Sequence, residues 1–135
     1  MTKYVIGPDA ALRLAQLDAE IPARHQLLAP TLIRSQWLAH LHGAVRRGEL
    51  DRQAAERRLD YLRGLRLRLL GDRVLQRVAW KIADQLDWPD TFIAEYIALT
   101  QLQADAFICL DPELARAASS IVTVASIEEL LGDSA

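Results

Sequence analysis

Acidic residues near predicted strand and helix boundaries are the side chains of this sequence that could do chemistry. Asp111 directly follows the apolar run 106–110, and Asp9, Asp90 and Glu95 lie near other predicted boundaries. Carboxylates gathered at the carboxyl ends of parallel strands can hold Mg²⁺ or Mn²⁺, because hard divalent cations prefer oxygen ligands. Such an ion can act as a Lewis acid and can lower the pKa of its bound water.

The same acids also have a structural interpretation. Asp111 precedes Pro112, where its side chain can cap a short helix, and Asp9 and Asp90 each directly precede a predicted helix. A capping side chain typically contributes about 1 kcal/mol. Both interpretations stay open for Asp111, whereas capping is favoured for Asp9 and Asp90.

Arginines are concentrated between residues 46 and 68. Such a stripe could contact RNA phosphates, and Arg63, Arg66 and Arg68 are its candidate RNA-binding residues. Acidic residues are interleaved with the arginines, among them Glu56 and Asp60. This alternation is more typical of a solvated helix with internal ion pairs.

Histidines and tryptophans give weaker signals. His40 and His42 stand two positions apart on one predicted helix, so they point to different faces and make a poor metal pair. Trp37, Trp80 and Trp88 fall within or beside apolar helix faces, which favours core packing over base stacking.

The composition indicates one packed domain spanning residues 1–135. The chain has 135 residues, and 51% of them are hydrophobic. The net charge is only -2, from 16 basic and 18 acidic residues, so the whole-molecule field attracts neither nucleic acid nor an anionic membrane. The sequence shows no signal peptide and no run of roughly 18 apolar residues, which predicts a cytoplasmic protein. Cys109 lies in an apolar run and is interpreted as a buried, inert thiol.

The elements that position these residues are predicted to alternate between strands and helices. Strands are expected at residues 4–6, 106–110 and 121–124, and residues 65–70 are expected to form either a short strand or a connecting segment. The apolar piece 26–29 is expected to lead into a helix that starts at Pro30 and Thr31. Further helices are expected at 10–17, after Asp51, after Asp72, from Asp90, at 112–118 and from Ser126. Strands separated by helices predict a mainly parallel sheet covered by helices on both faces.

Four segments of the chain look familiar in this order, namely residues 28–32, 80–86, 91–99 and 104–115. They resemble the PIN domain of VapC-like toxin ribonucleases, and the resemblance covers essentially the whole chain. It implies an α/β fold, a three-layer α/β/α sandwich with a mainly parallel central sheet. It also implies a Mg²⁺- or Mn²⁺-dependent endoribonuclease with an antitoxin-like protein partner, and a homodimer.

PIN nucleases place three or four acidic side chains around the metal. The resemblance puts Gly7, Gln36, Ile93 and Asp111 at these positions, and only Asp111 is acidic. Each lost carboxylate removes a strong oxygen contact to the ion, so the resemblance implies a weakened or lost metal site. If the chain folds like a PIN domain, these four residues should converge around one crevice.

Three nearby acids could compensate for the substitutions: Asp9, Asp90 and Glu95. Glu95 lies two residues after Ile93, about 200° round the helix, and should face away from it. Two hypotheses follow. One is a VapC-like PIN protein with weak or lost RNA cleavage that still binds RNA or an antitoxin-like partner. The other is a non-catalytic protein–protein interaction module with no nucleic-acid role.

Overall fold

Five parallel strands form one sheet in the order β3-β2-β1-β4-β5 in the computed structural model, which describes residues 1–132. The strands are β1 (Thr2–Ile6), β2 (His25–Pro30), β3 (Leu67–Leu70), β4 (Ala106–Ile108) and β5 (Val124–Ala125). The predicted parallel sheet is confirmed.

Seven helices connect and cover the strands in the described part of the chain. They are α1 (Pro8–Leu17), α2 (Ile33–Arg46), α3 (Arg52–Gly64), α4 (Arg73–Gln85), α5 (Phe92–Gln103), α6 (Pro112–Ser119) and α7 (Ile127–Leu131). Helices α1, α2 and α3 pack against one another, α4 packs on α5, and α5 lies against β1, β2 and β4. The result is a three-layer α/β/α sandwich.

The centre of the sheet is made by strands that are apolar on both faces. Val5 of β1 pairs with Leu28 of β2 on one side and with Phe107 of β4 on the other. All three side chains are fully buried. Strands of this kind are stable only where helices cover both faces of the sheet, which explains why β1 and β4 lie near its centre.

The predicted helix start at Pro30 is wrong. Residues 25–30 form β2, whose last residue is Pro30, and α2 begins only at Ile33. Proline is tolerated at the end of a strand because the missing N–H costs no central ladder bond there. The apolar residues 26–29, which were expected to lead into a helix, therefore belong to the strand that lies between β1 and β3 in the sheet.

Other boundaries shift by a few residues. The strand predicted to reach residue 110 ends at Ile108, and the strand expected at 121–124 begins at Val124. The predicted caps at Asp51 and Asp72 are confirmed, since their side chains accept hydrogen bonds from N–H groups in the first turns of α3 and α4. None of the helices within residues 1–132 is both long and apolar enough to cross a membrane.

Candidate functional site

A crevice opens beyond the carboxyl ends of β1 and β4, where α1 and α6 begin. The cavity has a volume of about 580 Å³. It is lined by residues from the turn after β1, the loop before α5 and the first turns of α5 and α6: Pro8, Asp9, Trp88, Pro89, Asp90, Ile93, Asp111, Glu113, Leu114 and Ala117. Open α/β sheets usually bind their ligands at this edge.

The carboxylate of Asp9 joins the two turns that border the crevice. Its Oδ2 atom accepts hydrogen bonds from the backbone N–H groups of Leu110 (2.9 Å) and Asp111 (3.2 Å). Its Oδ1 atom accepts one from the N–H of Ala10 at 2.7 Å. Hydrogen bonds to an ionised carboxylate are stronger than neutral ones, so Asp9 ties the start of α1 to the start of α6.

The prediction that Asp9 caps a helix starting at residue 10 is wrong. Helix α1 begins at Pro8, and Gly7 occupies the cap position. Proline is well suited to the first position of a helix because its fixed φ is already helical and its missing N–H is not needed there. Asp9 thus falls inside the first turn, and its side chain reaches across to the β4–α6 turn instead.

Gly7 is buried at the end of β1, in space that its neighbours already fill. Its N–H donates a 2.8 Å hydrogen bond to the carbonyl of Ile108. A Cβ at this position would lie 3.1 Å from Oδ1 of Asp9 and 3.1 Å from the same carbonyl oxygen. The first acidic position of the PIN resemblance therefore has no side chain, and the carboxylate of Asp9 lies next to it.

Ile93 and Asp111 line the same crevice, as the convergence prediction requires of them. Ile93 is partly buried and contributes an apolar side chain. Asp111 caps α6 and accepts a 3.0 Å hydrogen bond from the N–H of Glu113, in line with its structural interpretation. Asp90 accepts a 3.2 Å bond from the N–H of Phe92 and thereby stabilises the start of α5, although the cap position itself is Thr91.

Gly7 is not among the residues that line the crevice, and neither is Gln36. Its side-chain carbonyl accepts a hydrogen bond from the hydroxyl of Tyr96, which lies one helical turn after Ile93. Tyr96 is fully buried and packs against the ring of Phe107, with ring centroids 6.1 Å apart. Burial, followed by the nearby charges of Glu95 and Asp9, raises the pKa of Tyr96 far above its ordinary value, so the phenol stays neutral and donates. Only a search for buried polar partners could have found this tyrosine.

Glu95 is partly buried and does not line the crevice. Burial raises the pKa of its carboxyl above the ordinary value. Cys109 is buried next to the crevice, and burial together with the charges of Asp9 and Asp111 raises its pKa to about 11. A reactive cysteine is an accessible thiolate, whereas Cys109 is buried and protonated at neutral pH. This agrees with the inert interpretation.

The donor set of the crevice does not fit the divalent cation that PIN nucleases use. Within residues 1–132 no three His, Cys, Asp or Glu side chains are grouped so that they could hold a metal ion. Asp9, Asp90 and Asp111 each accept backbone hydrogen bonds, and Ile93 offers no oxygen. Mg²⁺ needs a near-octahedral set of oxygens and gives up its water reluctantly.

The arginines of the 46–68 region are divided by the structure into paired and unpaired ones. Arg63 pairs with Asp60 at 2.9 Å, Arg47 pairs with Glu49 at 2.7 Å, and all four side chains are exposed. The Arg63–Asp60 pair lies within α3, as does a second exposed pair of Arg52 with Glu56 at 3.3 Å, and these two support the solvated-helix interpretation. Arg47 and Glu49 lie in the loop between α2 and α3. Arg66 and Arg68 form no ion pair among the described residues, so their role in RNA binding stays a prediction.

A larger cavity, about 880 Å³, lies at the opposite edge of the sheet. It is lined by Tyr61, Arg66, Arg68 and the start of β2, among other residues. His25 at this edge has both ring nitrogens buried without a hydrogen-bond partner, and its pKa is lowered by burial and by Arg24. None of the four positions of the PIN resemblance lies here, so we place the candidate site at the carboxylate crevice despite its smaller volume.

Solved structures share the architecture of this chain. The chain superposes on PAE2754 from Pyrobaculum aerophilum with a TM-score of 0.76 and 22% sequence identity, over 96% of this chain and 93% of that chain. It superposes on a chain of VapBC2 from Rickettsia felis, solved bound to a DNA fragment from their promoter, with a TM-score of 0.63 and 9% identity. That match covers 92% of this chain and 98% of the other. No protein-family model matches the sequence, and no curated protein matches it. The fold of this chain is the PIN-like α/β/α sandwich.

Proposed function

We propose that this chain is a VapC-like PIN protein in which RNA cleavage is weak or lost and which binds an antitoxin-like protein partner at the carboxylate crevice. The observation that carries the proposal is the bridge made by Asp9. Its carboxylate fills the space beside Gly7 and is held by the N–H groups of Leu110 and Asp111. Asp9 is the acid closest to residue 7, where the family has its first acid, and its carboxylate already accepts hydrogen bonds from the backbone.

Loss of cleavage is expected because metal-dependent hydrolysis needs oxygen ligands for the ion at positions where this crevice has none free. Ile93 puts an apolar side chain into the crevice, and Gln36 is occupied by the hydroxyl of Tyr96. Without a cation, the carboxylates of the crevice repel the phosphates of RNA and cannot generate a hydroxide nucleophile.

The charge of the crevice favours a protein partner. Asp9, Asp90, Asp111 and Glu113 line it, and no Lys, Arg or His does so within the described residues. A crevice of one charge sign attracts the opposite charge, so a partner that presents an Arg or Lys side chain would fit it. The VapBC2 neighbour was itself solved as a complex of that name. This supports the choice of an antitoxin-like partner.

The alternative is a protein-interaction module with no nucleic-acid role. The ion pairs of Arg63 and Arg47 favour it, because paired arginines contribute less to phosphate binding. An RNA-binding measurement tests the alternative, because an affinity for RNA that falls steeply with salt would contradict it.

The first experiment measures cleavage of labelled RNA in Mg²⁺ and in Mn²⁺ by the unaltered protein and by Asp111→Ala. We expect background rates for both proteins. Metal-dependent cleavage that Asp111→Ala abolishes would refute the proposed loss and would mean that Asp9, Asp90 or Glu95 completes the site.

The second experiment follows backbone amide signals by NMR while a short arginine-containing peptide is added. We expect shifts at the N–H groups of Leu110, Asp111 and Ile93, and their loss in Asp90→Asn/Asp111→Asn. Asp60→Asn is the matched control, since Asp60 is an exposed acid far from the crevice in the chain and is paired with Arg63. Equal shifts in all three proteins would contradict binding at the crevice.

A further inference from the structure

Trp80 stands out among the three tryptophans because its side chain faces solvent. It is 67% exposed on the outer side of α4, whereas Trp37 is 6% exposed and belongs to the core. The sequence-based assignment of Trp80 to the core is therefore wrong. Leu75, Ala79 and Ile82 form the buried face of α4, and Trp80 falls outside that face. Large exposed aromatic side chains on a stable helix commonly mark a binding surface.

Three cations lie along one side of this tryptophan on the same helix. Arg73, Arg77 and Lys81 follow each other at intervals of four residues, and all three are exposed. Like charges at this spacing repel each other and weaken a helix slightly, so the spacing has no structural benefit. None of the ion pairs in residues 1–132 includes any of them.

The geometry of α4 places the cations and the tryptophan in one stripe. At about 100° per residue, Arg73, Arg77 and Trp80 lie within roughly 60° of one another, and Lys81 lies beside them. Asp84 is the acidic residue on this stripe, which leaves the surface with net positive charge. We define the α4 surface as Arg73, Arg77, Trp80 and Lys81.

We propose that the α4 surface binds single-stranded nucleic acid, with a base stacked on Trp80 and phosphates contacted by Arg73, Arg77 and Lys81. An aromatic platform among cations is the arrangement that recognises unpaired nucleotides, because every base has a face that can stack and every nucleotide carries a phosphate. The proposal goes beyond the proposed function, since the carboxylate crevice takes no part in it.

A second copy of the chain fits this surface less well. In a two-fold symmetric dimer the same patch meets itself, so the three cations of one copy would approach those of the other. An anionic strand instead neutralises all three. The charge of the surface therefore selects the nucleic acid.

The test measures the fluorescence anisotropy of a short, labelled, mixed-sequence RNA at several salt concentrations, with DNA of the same sequence as a second arm. We expect Trp80→Ala to weaken binding about tenfold and Trp80→Phe to retain most of the affinity. Arg77→Gln should flatten the slope of log affinity against log salt by about 0.7. Trp80 is exposed, so these variants should remain folded, which circular dichroism checks.

Two controls make the test specific. Phe92→Ala removes another exposed aromatic side chain, 55% exposed, and should leave the affinity unchanged. Arg66→Gln/Arg68→Gln removes two cations that also form no ion pair in residues 1–132 and should have a smaller effect than Arg77→Gln. Preference for the RNA or the DNA arm identifies the natural strand.

Two results would overturn the proposal. The first is absence of salt-dependent binding of either strand, and the second is unchanged affinity in Trp80→Ala. If sedimentation then shows that Trp80→Ala dissociates a dimer, the α4 surface is a contact between copies of the chain. Since cleavage and peptide binding are measured at the crevice, failure here leaves the proposed function standing.

Discussion

The carboxylate of Asp9 lies directly beside the position where a side chain on Gly7 would begin. A Cβ on Gly7 would be 3.1 Å from Oδ1 of Asp9, which is closer than nine in ten of the contacts that real Cβ atoms make. Two positions apart in sequence, the residues share one space at the end of β1. The absence of an acid at residue 7 and the presence of one at residue 9 are therefore a single structural feature.

Substitution of Gly7 by alanine should destabilise the protein by about 1–3 kcal/mol, because the added methyl group overpacks a buried site. Gly64→Ala is the matched control: nothing lies within 4 Å of its Cβ position, and alanine favours the helix by about 1 kcal/mol. Urea unfolding measures both free energies. The same small effect at both glycines would contradict the proposed crowding.

Asp9→Ala should reduce the cost of Gly7→Ala, while the carbonyl of Ile108 keeps part of it. A double-mutant cycle over the two positions measures this coupling, since residues in contact show non-additive effects. Additive free energies would mean that the carboxylate of Asp9 moves away freely.

Restoring the acids should restore metal binding. The triple variant Gly7→Asp, Gln36→Glu, Ile93→Asp returns carboxylates to the positions of the PIN resemblance. Adding Asp9→Ala should improve it further, because the new side chain at residue 7 otherwise meets the carboxylate of Asp9. We expect Mn²⁺ to raise the Tm of the restored variant in a concentration-dependent way.

The unaltered protein is the control for the restored one. Its Tm should respond little to Mn²⁺, and the restored variant without metal should be less stable than the unaltered protein because four carboxylates repel each other. Equal Mn²⁺ stabilisation of both proteins would contradict the assignment of these positions.

Much of the fold could be predicted because its signals are local. Apolar runs on both faces identified β1 and β4, and the acids at 51 and 72 marked the starts of α3 and α4. Strand β2 was missed because Pro30 also suits a helix start, and only pairing with β1 and, up to Pro30 itself, with Leu67–Leu70 distinguishes the two. The pairing with Leu67–Leu70 joins residues about forty positions apart, which no local pattern records.

The site was less predictable for the same reason. The bonds from Asp9 to the β4–α6 turn join residues separated by 101 and 102 positions. Trp80 was assigned to the core because the apolar face of α4 looked wider in sequence than it is, and Val74 is exposed as well. Burial depends on where α5 covers α4, and spacing along one helix does not contain that information.

Cys109 should react slowly in the folded protein. Its pKa of about 11 leaves far less thiolate at pH 8 than an ordinary value of 9.0 does. Reaction with a thiol-specific disulfide reagent should be about a hundredfold slower in the native state than in denaturant, because the thiolate is the nucleophile. Fast native labelling would instead indicate an accessible, ionised thiol.

The buried phenol of Tyr96 should make the protein sensitive to alkali. Its pKa is raised in the folded state, so the folded protein holds the proton more tightly than the unfolded chain, whose ordinary value is 10.0. This contribution to stability is fully present below about pH 10 and decreases as the pH rises further. Tyr96→Phe removes the titration, but it leaves the carbonyl of Gln36 without its donor and should cost about 1 kcal/mol at neutral pH. We therefore expect Tyr96→Phe to be less stable at pH 7 and to lose less stability between pH 9 and pH 11, measured by urea unfolding in a Cys109→Ala background.

Tyr61→Phe is the control, since Tyr61 is only partly buried and burial raises its pKa too. A larger alkaline effect from Tyr61 than from Tyr96 would place the sensitive phenol at the other edge of the sheet.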